Sequence, residues 1–171
     1  VNSQEIFYEI NGFAVKRVTD NPVILDKYGK VFHYQRPYCW TLEQKQLLIS
    51  SIYENISCGL VLVRRRSDEE LQMLTSQGIA DLALLEIVDG KQRMAAVHEF
   101  VNDGFVDSNG ILWLDFSQTA KQKFFNFTGF TYGQLPENTP DKEIQAQFLL
   151  TNFTGVPQSK EHLDYVKSIN L

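Results

Sequence analysis

Apolar positions change their spacing several times along the chain, and each change predicts an element. Val23-Ile24-Leu25 and Val31-Phe32 are short apolar runs on either side of Tyr28-Gly29-Lys30, which reads as two extended segments around a turn. Thr41 and Gln44 form a capping-box pattern. Leu48, Ile49, Ile52 and Ile56 then recur at helical spacing, predicting a helix from Thr41 towards Gly59. Gly59-Leu60-Val61-Leu62-Val63 reads as a buried strand ending in Arg64-Arg65-Arg66. Residues 67–80 are polar and read as a variable insertion with a helical turn around 69–74. Leu82-Ala83-Leu84-Leu85-Glu86-Ile87-Val88 predicts another strand, stopped by Asp89-Gly90. The helix that follows carries Met94, Val97 and Val101 on one face. Ile111-Leu112-Trp113-Leu114-Asp115-Phe116 reads as a third strand. A short helix at 118–126, an extended stretch at 127–135 and a helix from near Pro140 with Ile144, Phe148 and Leu149 inward complete the pattern, with a last segment at 159–168. This alternation predicts an α/β or α+β class with the helices mostly in the C-terminal half. Residues 1–20 read as an N-terminal arm or edge strand, and 21–171 as a single domain.

Composition narrows the functional classes. Of the 171 residues, 43% are hydrophobic and 22% charged, close to globular averages, which excludes disordered, collagen-like and coiled-coil chains. The net charge of −5 argues against a domain that grips duplex DNA by its phosphates alone, although local basic patches remain open. No apolar run reaches the length of a membrane span, and Val1-Asn2-Ser3-Gln4-Glu5 is not a signal peptide, so a cytoplasmic protein without membrane contact is expected. Cys39 and Cys58 make neither a disulfide framework nor a four-ligand zinc site. With no route to the secretory pathway, the sequons at Asn55, Asn126 and Asn152 read as chance. His33, His98 and His162 lack metal-ligand spacing, and no Gly-x-Ser-x-Gly elbow occurs.

Three stretches could carry chemistry. In Ile87-Val88-Asp89-Gly90-Lys91-Gln92-Arg93-Met94 a buried strand runs through Asp-Gly into a helix. The first N–H groups of a helix lack internal partners and its dipole is positive there, so such an end binds anions, phosphate above all. Lys91 and Arg93 have the wrong sign for that dipole unless something negative lies between them. The alternative is a plain turn with two solvated basic residues, since Asp-Gly turns are common. Neither a Walker A loop nor a dinucleotide fingerprint is present. The second stretch is Tyr34-Gln35-Arg36-Pro37-Tyr38-Cys39-Trp40, where Arg36 offers a bidentate fork for phosphate. Gln35-Arg36 reads equally as a surface pair, and Trp40, just before the helix cap, as a packing anchor. In the third, Phe148 to Glu161, Asn152 and Gly155 read as a helix C-terminus, Pro157 as its stop and Ser159 as the next cap. Arg64-Arg65-Arg66 reads as a solvated charge run, and Cys58, in an apolar setting, as inert.

Taken in order, Gln35-Arg36-Pro37-Tyr38-Cys39-Trp40, Leu48-Ile49-Ser50-Ser51-Ile52, Val88-Asp89-Gly90-Lys91-Gln92-Arg93 and Asn152-Phe153-Thr154-Gly155-Val156-Pro157-Gln158-Ser159 resemble one domain. It is the N-terminal domain of GmrSD-type modification-dependent restriction endonucleases, within the ParB/sulfiredoxin-like superfamily. The resemblance covers about residues 20–165. It implies an α+β fold, a small mixed sheet packed with helices, in a DNA restriction or phage-defence setting. It also implies binding, and in several relatives hydrolysis, of a nucleoside triphosphate with Mg²⁺. Carried over, Asp89, Gln92 and Arg93 would be catalytic. Gly90, Lys91, Gln35, Arg36 and Asn152 would bind the nucleotide, and Asp89, or else Glu86, would hold the metal. The family's usual Gln after Asp-Gly is Lys91 here, which keeps polarity and adds charge. The His-Asn-His nuclease domain of the larger enzymes is not among these residues, so a module acting with DNA or a nuclease partner is expected. Two other readings share the motifs: a non-enzymatic regulatory or binding module, and a DNA nickase.

Overall fold

In a computed structural model, which describes residues 18–19, 23–25, 27–79, 85–126, 129–151 and 159–169, the apolar runs pair into a four-stranded mixed sheet beside a hairpin. The sheet has the order β1 (Val18–Thr19), β5 (Leu85–Asp89), β4 (Gly59–Arg65), β6 (Phe130–Leu135). β4 runs antiparallel to β5 and parallel to β6, and β1 is a parallel edge beside β5. The hairpin joins β2 (Val23–Leu25) to β3 (Val31–His33) in antiparallel register, with Gly29 at φ +77° in its turn. The class is mixed α+β.

Strand side chains alternate between faces, and that alternation divides the core in two. Val61 and Val63 of β4, with Leu85 and Ile87 of β5, face α1 (Leu42–Tyr53), α3 (Lys91–Val101) and α4 (Gln118–Phe125). This layer is aromatic: Trp113 lies 5.2 Å from Phe124 and 5.8 Å from Phe100, ring centre to ring centre. Leu62 and Val88 face the other way, against Ile24 of the hairpin, Tyr34, α5 (Asp141–Thr151) and α6 (Lys160–Ser168). There Tyr34 packs edge-on against Phe148 at 5.2 Å.

Local signals place the helix starts. Thr41 and Gln44 close a reciprocal capping box on α1, and Ser67, Ser117 and Ser159 accept N–H bonds at the heads of α2 (Asp68–Ser76), α4 and α6. α2 is a full helix within the segment read as a polar insertion. α1 stops at Tyr53, earlier than its apolar spacing suggests, because Asn55 turns left-handed at φ +55°. Ile56 therefore lies outside the helix and is exposed. In the predicted strand 82–88, residues 82–84 lie outside the described ones, and the strand itself extends to Asp89.

Two expectations are corrected. Ile111 to Phe116 is not a strand: its centre is a 3₁₀ turn, Trp113–Asp115. Asp107 holds the backbone of Asn109 and Ile111 with its carboxylate, Asp103 takes the Leu114 N–H, and Trp113 is buried in the core with Phe116 packed against it, while Leu114 stays exposed. The arginine run is not solvated either. Arg64 and Arg66 share the face of Leu62, and both are buried, at 2% and 1% exposure; only Arg65, on the opposite face, is exposed. Among the described residues no helix is long and apolar enough to cross a membrane.

Candidate functional site

Four buried residues of β5 deliver Asp89 to the C-terminal end of this inner strand, and the chain turns there at Gly90, φ +101° and ψ 2°. An L side chain is strained at this φ, and a Cβ on Gly90 would lie 3.2 Å from Val61 Cγ2 and 3.3 Å from its Cα. α3 starts at once, and its N-cap, having no side chain, leaves the first turn uncapped. Arg93 braces the turn. Its guanidinium donates to Cys58 O and Leu60 O, both at 2.6 Å, and to Asp89 Oδ2 at 3.0 Å. Gly59 makes room for it: at φ +83°, a Cβ there would lie 2.6 Å from Arg93 Nη1.

The 34–40 loop docks onto this turn across more than fifty residues of chain. Gln35 Nε2 donates to Val88 O at 2.7 Å and to Ile87 O at 3.3 Å. Gln92 clasps the loop from both sides of its amide, donating to Pro37 O and accepting from Cys39 N, each at 3.0 Å. Lys91 Nζ reaches Arg36 O at 3.4 Å, and His162 Nε2 sits 3.0 Å from Tyr34 O, tying in α6. Two stretches legible separately in the sequence are therefore one unit, with Asp89, Gly90, Lys91, Gln92, Arg93, Gln35 and Arg36 together. Asn152 lies outside the described residues.

Arg36 is half-buried beside Lys91, and its Nε is shut off from solvent without a hydrogen-bond partner among the described residues. A cationic group in that state needs an acceptor. Glu86 is a different case. It is 1% exposed, and Arg64 and Arg66 occupy both of its oxygens, so it cannot serve a metal at this turn. Burial pushes its carboxyl up against the pull of the two guanidiniums. For Arg64, burial opposes the charge, and the carboxylates of Glu86, Asp141 and Glu70 more than offset it, so the guanidinium stays protonated. Among the described residues no three His, Cys, Asp or Glu side chains converge on a metal position. Asp89, whose Oδ2 is shared with Arg93, can offer Mg²⁺ one carboxylate oxygen, which fits an ion held mainly by phosphate oxygens and water.

A cleft of about 320 Å³ opens beside the turn, between Tyr38 and the face of α3 that carries Lys91, Ala95, His98 and Glu99. Sequence reasoning missed Ala95, His98 and Glu99 as site residues. Their signal was the spacing of positions 91, 95, 98 and 99, one helix face next to the Met94–Val97–Val101 core stripe. Lys45 was also missed; its ammonium sits 4.8 Å over the Tyr38 ring and bonds Glu99 at 2.8 Å.

The cysteines differ in a testable way. Cys39 is exposed; Cys58 is half-buried, and burial pushes its thiol up against the opposing charge of Arg93. Because the thiolate is the nucleophile, limiting maleimide at pH 7 should label Cys39 first, as read by peptide mass mapping. Equal labelling rates would contradict the described packing of Cys58.

Fold and site define a small α+β domain organised around a strand–Asp-Gly–helix turn clamped by a second polar loop. The model of the GmrSD restriction endonuclease N-terminal domain matches residues 23–169, and the chain belongs to that family. It is thus a component of a restriction or phage-defence system. Comparison with curated proteins and with solved structures gives no match.

Proposed function

We propose that the chain is a nucleoside-triphosphate-binding module, and that the triphosphate lies at the N-terminal end of α3. The observation that carries this reading is Arg36, a partly buried cation whose Nε has no partner among the described residues, in the loop that Lys91 and the uncapped helix start hold. Helix N–H groups, a guanidinium fork and an ammonium together form a phosphate site. Mg²⁺, where bound, would neutralise phosphate charge with Asp89 as its one protein ligand. Hydrolysis would break the bond between the terminal phosphoryl group and its bridging oxygen while water adds to phosphorus, releasing nucleoside diphosphate and phosphate. One observation favours binding without turnover in the isolated chain. Gln92 and Arg93, the residues expected to be catalytic, already spend their polar groups on backbone carbonyls, the Cys39 N–H and Asp89.

The test is titration of the purified chain with each of the four ribonucleoside triphosphates and Mg²⁺, with phosphate release measured in parallel. A charge-assisted hydrogen bond contributes about 1.5–3 kcal/mol, so Arg36→Ala should weaken binding about 10- to 100-fold and leave the melting temperature unchanged. Unchanged affinity would remove the assignment. Binding with phosphate release establishes a hydrolase; binding without it establishes a sensor.

A further inference from the structure

We propose that the cleft between Tyr38 and α3 holds the base and ribose of the nucleotide whose phosphates lie at the head of that helix; the inference rests on the triphosphate reading above. The two places share Lys91, which belongs to the first turn of α3 and also lines the cleft. From there the cleft follows one helix face through Ala95 to Glu99, about 12 Å at the α-helical rise. A ligand anchored at the helix start can therefore extend along this half-open cleft.

The chemistry changes along that path. The head of the helix is positive, with the dipole and Lys91 in its first turn. The far end carries the Glu99 carboxylate, fixed by Lys45 at 2.8 and 3.0 Å, with His98 beside it. Because Lys45 neutralises Glu99, the far end has no net charge, and an elongated anion lies with its charge at the positive helix head and its neutral half in the cleft. The floor is apolar, made by Ile87 and Met94, each 1% exposed, and the Tyr38 ring forms a wall. Burial, followed by the Glu99 charge, pushes the Tyr38 phenol up, so it remains a neutral donor. A flat apolar body with polar edge groups suits these surroundings, and a ring N–H or exocyclic amine matches the acceptor Glu99. The volume of about 320 Å³ lies at the lower end of small-molecule sites, which run from about 300 to 1,000 Å³.

Ala95 is the position for a test, because it is half-exposed on the helix and a longer side chain grows into the cleft. Leucine and methionine are both good helix formers, so Ala95→Leu and Ala95→Met should keep the fold, as checked by thermal melting. Both variants should lose at least tenfold in affinity for nucleoside triphosphates and keep wild-type affinity for inorganic tripolyphosphate, which has no base or ribose. Unchanged nucleotide affinity in both filled variants overturns the inference, and so does an equal loss for nucleotide and tripolyphosphate. A wild-type chain that binds tripolyphosphate and nucleotide equally well also overturns it, while leaving the phosphate site standing. If the wild type binds neither, the triphosphate reading itself fails.

Discussion

Replacing Arg64 by methionine should destabilise the protein by about 3–5 kcal/mol, the cost of removing one partner from a buried ion pair. The side chain lies between three elements. Its Nε bonds Glu86 of β5, one terminal nitrogen bonds Asp141 at the head of α5, and the other donates to Val23 O of the hairpin at 2.7 Å. Arg66 repeats the arrangement, bonding Glu86, Glu70 of α2 and the same Val23 carbonyl at 2.6 Å. Asp141 in turn takes the Leu25 N–H at 2.5 Å. Methionine fills much of the volume but leaves buried Glu86 and part-buried Asp141 without their shared cation. With a urea slope of about 2 kcal/mol per molar, the midpoint should fall by about 2 M, readable from the fluorescence of Trp113 in the neighbouring core. Arg64→Lys should recover little, because one ammonium cannot span three acceptors held by separate elements. If Arg64 were part of a solvated run, the loss would stay within about 0.5 kcal/mol, and that result would refute the buried network.

Arg93→Ala should lower both the melting temperature and nucleotide affinity, in contrast to Arg36→Ala, which should lower affinity alone. Arg93 spans the start of β4 and the end of β5, meeting two carbonyls and one carboxylate across the turn that carries Gly90. Without it the carbonyls of Cys58 and Leu60 lose their donors in a part-buried setting, and Asp89 loses its counter-ion. At about 1–3 kcal/mol for an orphaned buried group, with the partial exposure discounted, the stability loss should be about 2–3 kcal/mol. The helix head would shift with it, so affinity should fall at least tenfold. Arg93→Lys keeps the charge but not the fork, and should rescue neither quantity fully. A variant with unaltered melting and lost affinity would instead make Arg93 a direct phosphate ligand. Parallel thermal melts and nucleotide titrations distinguish the two roles.

The contrast between these arginines shows how far the sequence can be read. Arg36 and Arg93 both lie in recognisable motifs, and the sequence assigns both to phosphate. Only the structure separates a side chain whose Nε lacks a partner among the described residues from one saturated by backbone carbonyls. Glu86 was a reasonable metal ligand three residues before Asp89, until the arginines on the adjacent strand filled both its oxygens. Ile111 to Phe116 had the composition of a strand, yet the Asp103 and Asp107 side chains compete for its backbone and leave it a turn.

By itself the sequence determined what depends on neighbours a few residues away. The Thr41–Gln44 box, the Ser159 cap and the β5–Asp89-Gly90–α3 turn follow from backbone donors and φ preferences that act within one helical turn. The order of the motifs was enough to indicate the family. Tertiary structure decided what depends on distant partners. Gln35 meets Val88 across 53 residues, and Arg64 meets Asp141 across 77. The cleft forms between Tyr38 and α3, with Lys45 bridging the Tyr38 ring and Glu99. A buried charge is tolerated only where opposite charge surrounds it in space, and hydrophobic patterning along the chain carries no record of that surrounding.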